Sequence, residues 1–144
     1  MTATRTSGSQ ASSTAAVALR VLAAAGLGIS AYVHLHLASH YSSFGKTITM
    51  GQLFYVQGVI AALLALALLI TGKRYLWWAA ALLGAGSFAA VMTYRYVNVG
   101  TIGPLPNMYD PSWLPSPDKA LSAVVEAAIP VLWLIDEARR RSRR

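Results

Sequence analysis

Cysteine is absent from this chain of 144 residues, which removes disulfides, thiolate metal sites and thiol nucleophiles at once. Charge is scarce as well. Only 12% of residues are Asp, Glu, Lys or Arg, against 56% hydrophobic, and the mean hydropathy is +0.49. A soluble domain of this length needs more charged surface than that. Also missing are a phosphate-binding loop, a dinucleotide fingerprint, a serine nucleophile elbow and paired catalytic carboxylates, so the reading leans away from an enzyme. The net charge of +7 does not point to nucleic acid, because five of the twelve basic residues fall in the last six positions, RRRSRR. That is the pattern of a membrane-flanking tail.

What the sequence does contain is hydrophobic length. Four apolar segments lie at about residues 15–37, 52–71, 75–97 and 120–135, each near the roughly 20 residues that a helix needs to cross hydrocarbon. Backbone amides inside a bilayer must find internal partners, so these segments are helices. The expected fold is therefore all-α, a bundle of four transmembrane helices. Residues 1–13 read as a disordered N-terminal tail, 14–138 as the membrane domain and 139–144 as a basic tail. Ala23 and Ala25 imitate a signal-cleavage site but follow Arg20 too closely for an apolar region to intervene, so the first segment is expected to be retained.

Basic residues set the orientation. Arg5 and Arg20 belong to the first helix and its leader, Lys73 and Arg74 separate helices two and three, and the arginine cluster follows helix four. Lys46 and Lys119 stand nearly alone in the other two loops. The positive-inside rule then puts both termini in the cytoplasm of a multi-pass protein of the cell membrane. The outer loop between helices three and four, VNVGTIGPLPNMYDPSWLPSPDK, holds five of the six prolines, at 104, 106, 111, 115 and 117. Such a segment is extended and semi-rigid. Tyr109, Trp113 and Leu114 give it an apolar side for the bilayer surface or the bundle mouth.

Two features bear on chemistry. HLHLASHY places His34, His36 and His40 at the outer end of helix one. His36 and His40 are four apart and share a helical face, a spacing at which two imidazoles can hold one metal ion, while His34 points elsewhere. Glu126 is the lone carboxylate in the apolar part of helix four, where an isolated charge is costly unless paired, protonated or facing a wet cavity. Level alone pairs it with Arg95 at the outer end of helix three, with His34 as the competing partner. Gln57, Tyr94, Arg95, His34 and Glu126 together would enrich the outer half in polar groups. That is the composition of an outward-facing pocket, and equally of hydrogen-bonded helix packing. Ala24 and Gly28, and Ala80, Gly84 and Gly86, are small-residue stripes suited to close helix contact. Pro130 frees the carbonyl of Glu126, and Tyr75, Trp77, Trp78 and Trp133 read as interfacial anchors.

HLHLASHY, TITMGQLFYVQG and the proline-containing loop before the last helix resemble short four-helix membrane proteins of actinobacterial type, distantly similar to the DoxX-like group. The resemblance implies a cytoplasmic-membrane bundle and carries over no catalytic residues. Two functions remain open. One is a binding or accessory component that uses its outer polar pocket, with a membrane-protein partner or a homo-oligomer. The other is a metal-, haem- or quinone-binding redox or transport protein built on the outer His/Glu cluster.

Overall fold

The computed structural model describes residues 5–113 and 117–143, and within these the chain is all-α. Its helices are α1 (Arg5–Ala38), α2 (Met50–Thr71), α3 (Arg74–Tyr96) and α4 (Pro117–Arg141). Three of them, Ser13–Ala38 within α1, α2 and α3, are long and apolar enough to cross a membrane. α1 begins at Arg5, inside the stretch expected to be a tail, because upstream turns added to an existing helix need no new nucleus. Residues 1–4, 114–116 and 144, which include Leu114 and Pro115, lie outside the described residues.

Local chemistry sets the helix ends. Thr49 caps α2 by accepting the Gln52 N–H at 3.1 Å, while the Gln52 side chain accepts the Thr49 N–H at 2.9 Å. This reciprocal pair satisfies two amides that the first turn leaves without partners. α2 stops at Gly72, whose N–H returns to the Leu68 carbonyl. α4 opens on Pro117, which has no N–H to leave unpaired, followed by Asp118 in the positive first turn.

α1 lies between α2 and α4, α3 packs on α4, and the consecutive helices α2 and α3 touch far less than those pairs do. Glycine permits close helix approaches, at Gly51, where a Cβ would sit 2.3 Å from the Ala38 carbonyl oxygen, and at two further positions. A Cβ on Gly58 would sit 2.6 Å from the Leu35 side chain on α1, and one on Gly84 would sit 2.8 Å from the Glu126 carbonyl oxygen on α4. Gly84 also lies beside Pro130, the residue that removes the amide partner of that carbonyl. Gly28 and Gly86, by contrast, have nothing near the missing Cβ, so only part of the small-residue pattern serves helix contact. Trp77 is buried in the core with Ala80, Leu68 and Ile129 and is not an interfacial anchor. Tyr75 is exposed, and Trp78 packs against Trp133 with ring centroids 4.3 Å apart and the rings tilted by 56°.

The core is apolar, but α4 also turns polar residues inward and apolar ones outward. On α4 the buried stripe includes Ser122, Glu126, Asp136 and Glu137, while Leu121, Val124, Val131, Leu134 and Ile135 face outward. A water-soluble helix has the reverse arrangement.

The two kinds of glycine separate in a stability measurement. Gly84→Ala should lower the unfolding free energy in detergent by about 1–3 kcal/mol, because its methyl meets backbone. Gly86→Ala should be neutral or stabilising by up to ~1 kcal/mol. Equal behaviour of the two variants would contradict the tight α3–α4 contact.

Candidate functional site

Glu126 lies nine residues into α4 and is 1% exposed. Its Oε1 accepts two hydroxyl hydrogen bonds of 2.8 Å, one from Ser30 on α1 and one from Ser122 one turn earlier on α4. The His34 Nδ1 stands 3.8 Å from the same oxygen. Oε2 is buried and has no hydrogen-bond partner among the described residues. The His34 Nδ1 also lies 2.9 Å from the Ser30 carbonyl oxygen. A carbonyl only accepts, so this nitrogen carries the proton and the neutral ring keeps its lone pair on Nε2.

The expected Glu126–Arg95 pair does not form; the competing partner, His34, is the one at hand. On α3 the residue level with Glu126 is Gly84, eleven positions from Arg95 and therefore about 16 Å away along the helix axis. Arg95 instead serves the loop that follows α3. Its Nη1 donates to the Pro111 carbonyl, and its guanidinium lies over the Trp113 ring at 4.4 Å and the Tyr96 ring at 5.4 Å.

His34, Gln57, Tyr94 and Arg95 line one cavity of about 490 Å³, set between α2 and α3 where those helices separate. Most of its wall is apolar, including Leu37, Leu53, Phe54, Leu83, Ala90 and Val91. Ser122 also reaches it, whereas Glu126 stands behind Ser122 and His34. Gln57 donates to Ser87 at 2.5 Å, a side-chain bridge from α2 to α3 across the seam. Val56 and Leu82 line the cavity and are also exposed on the apolar exterior. The seam therefore opens sideways.

Met108 and Asp110 roof the cavity from the loop after α3. Asp110 ties that loop to three elements. Its N–H donates to the Tyr94 carbonyl at 3.1 Å, the Tyr41 hydroxyl donates to its Oδ2 at 3.5 Å, and Lys119 of α4 donates to the same oxygen. The Ser112 N–H donates to Oδ1 at 3.0 Å. Burial works against ionising Asp110, but the Lys119 hydrogen bond, the Ser112 amide, the Lys119 charge and Tyr41 together outweigh it. The carboxyl titrates below its ordinary value of 3.8. Tyr41 is pushed up, first by burial and then by the charge and hydrogen bond of Asp110.

His36 and His40 are not part of this cavity. His36 lies near the end of α1 and His40 in the turn that follows it, with their rings 5.6 Å apart, and His36 stacks on Tyr32 at 5.7 Å. Among the described residues, no three His, Cys, Asp or Glu side chains gather as metal ligands. Ser30, Ser122, Ser87 and Asp110 are the polar partners that hydropathy passes over. Ser122 and Ser30 each precede a singled-out residue, Glu126 and His34, by one helical turn, and that spacing is the signal that identifies them.

Serine removal tests the α1–α4 tie. Ser30→Ala and Ser122→Ala should each cost on the order of 1 kcal/mol of stability in detergent, and the double variant should lose more than the sum. The second deletion strips the last hydroxyl from a buried oxygen. Simple additivity would argue against a shared acceptor. Acid tests the loop. The Asp110 pKa is depressed by folding, so its contribution is complete above pH 3.8 and is lost as pH falls through the lower folded value. Hydrogen exchange across residues 97–113 should accelerate below that point, and Asp110→Asn should show the faster exchange already at neutral pH. An acid-insensitive loop would refute this role.

No protein-family model, curated protein or solved structure matches this chain.

Proposed function

We propose that this protein is a four-span component of the cytoplasmic membrane, with both termini in the cytoplasm, that binds a small, largely apolar molecule in the cavity between α2 and α3. The cavity carries the proposal. Its volume of about 490 Å³, its apolar wall and the few convergent polar groups, His34, Gln57, Ser122 and Tyr94, match what a small-molecule site offers. The exposed Val56 and Leu82 at its edge suit a ligand that arrives from lipid and not from water.

α4 is the fourth span in this reading. Its mean apolarity is reduced by Glu126, Asp136 and Glu137, yet all three face inward and its outward residues are apolar, as bilayer contact requires. The distribution of lysine and arginine supports cytoplasmic ends, which puts the cavity and its loop on the outer side. The likeness of HLHLASHY and TITMGQLFYVQG to DoxX-like four-helix membrane proteins supports the same architecture. The role is that of a binding or accessory component, with the loop over the cavity available to a membrane-protein partner or a second copy of the chain.

Cavity filling provides the test. Gly86 lines the cavity and has open space where its Cβ would be, so Gly86→Phe should occupy the site with little loss of fold. Native mass spectrometry of protein released from membranes should show a small apolar adduct on the wild type that is at least about tenfold depleted in the variant, a loss of about 1.4 kcal/mol. A reporter fused after Arg144 should be active only in its cytoplasmic form. An adduct-free wild type, or equal occupancy in Gly86→Phe, would remove the ligand reading. An exported C-terminus would remove the topology.

A further inference from the structure

The opposite end of the bundle holds a second cavity, of about 480 Å³, lined by Arg74, Glu137, Arg140, Arg141 and Arg143. Charges at a helix end usually trail into water, but these are anchored. Glu137, with its side chain only 8% exposed, accepts a two-pronged contact from Arg74, at 3.2 Å from Nε and 2.5 Å from Nη2, and a third bond of 3.3 Å from Arg141. Asp136, equally buried, holds Arg140 Nε at 2.5 Å, and Arg140 Nη2 reaches the Gly72 carbonyl at 3.4 Å. The two carboxylates thus fix guanidiniums from α3 and α4 around one hollow. Among the described residues the lining is four arginines and one acid, with Asp136 bonded to Arg140 beside it, so its character is basic.

We propose that this hollow is a binding site for a phosphate group. Each guanidinium has five N–H donors, and the contacts to Glu137, Asp136 and Gly72 engage only some of those on Arg74 and Arg140. Planar arginine forks match the oxygens of a phosphate more closely than lysine ammonium groups do. A lining this rich in arginine suits an anionic phosphodiester or phosphomonoester. The position also fits, because Arg74 starts α3 and Arg140, Arg141 and Arg143 end α4. That is the level at which a bilayer presents its headgroups. The phosphate belongs either to an anionic phospholipid or to a small soluble phosphate compound. This site lies at the other end of the bundle from the cavity roofed by Met108 and Asp110, and stands or falls separately from it.

The test uses the full chain in nanodiscs of phosphatidylcholine alone or of phosphatidylcholine with phosphatidylglycerol at three to one, compared with an Arg141→Gln/Arg143→Gln double variant. Those two positions spare the Arg74–Glu137 and Arg140–Asp136 pairs, and circular dichroism verifies that helix content is kept. Wild-type protein should retain phosphatidylglycerol through detergent extraction and should gain thermal stability from it. The double variant should bind it roughly 10- to 30-fold more weakly, with phosphatidylcholine retention unchanged. If millimolar inorganic phosphate displaces the lipid, or binds when no anionic lipid is present, the source is a soluble phosphate; if it does neither, the source is the headgroup. Equal retention of the two lipids with no phosphate binding would overturn the proposal. So would a folded double variant that binds as the wild type does.

Discussion

One buried carboxylate oxygen organises this bundle. Glu126 Oε1 collects a hydroxyl from α1 and another from α4, with His34 of α1 beside them. In surroundings this apolar a carboxyl group without such partners would be severely unfavourable. Satisfying it fixes the face of α4 that turns toward α1. The remaining contacts follow from that choice. α2 docks on α1 through Gly51 and Gly58, and α3 docks on α4 through Gly84, against the carbonyl of the same Glu126. With α2 and α3 each held by a different partner, the seam between them stays under-packed, and the cavity occupies it. The cavity is thus a consequence of where the tight contacts fall.

The two ends of the bundle handle their charges by different chemistry. At the cavity end a single carboxylate, Asp110, gathers a backbone amide, a tyrosine hydroxyl and a lysine, and Arg95 clasps the loop through a carbonyl and an indole. These contacts serve to order one loop. At the other end Asp136 and Glu137 are outnumbered by the arginines around them. The first arrangement closes a roof, and the second leaves a positive surplus that favours an anion.

The helices were legible because their determinants are local. Apolar length marks α2 and α3, and Gly72 and the prolines mark their surroundings. The membership of the cavity was legible in large part as well, since His34, Gln57, Tyr94 and Arg95 share it. Less accessible was any pairing that depends on how far one helix slides past another. Glu126 and Arg95 look level if α4 starts at residue 120, but the helix starts at Pro117 and its contact with Gly84 sets Glu126 deeper. Trp77 shows the same limit in rotation: its position in the chain fits an interfacial aromatic, yet it turns into the core. Depth and azimuth are products of packing, and a single sequence states neither.

α4 shows that average hydropathy hides the side on which a helix is polar. Glu126, Asp136 and Glu137 lower the average of α4 along with its charged ends, but these acids are among the residues that bind it to its neighbours. A helix facing lipid on one side and a polar seam on the other must divide its composition between the two. It therefore scores between a soluble helix and a uniformly apolar span. The discriminating property is which side is polar, and on α4 the buried side carries the serine and the acids while valine, leucine and isoleucine face out. In water that arrangement would expose the apolar face, an unfavourable term with nothing to offset it. In a bilayer the apolar face is solvated and the buried acids find hydroxyls and guanidiniums, so the inverted stripe is the lower-energy state.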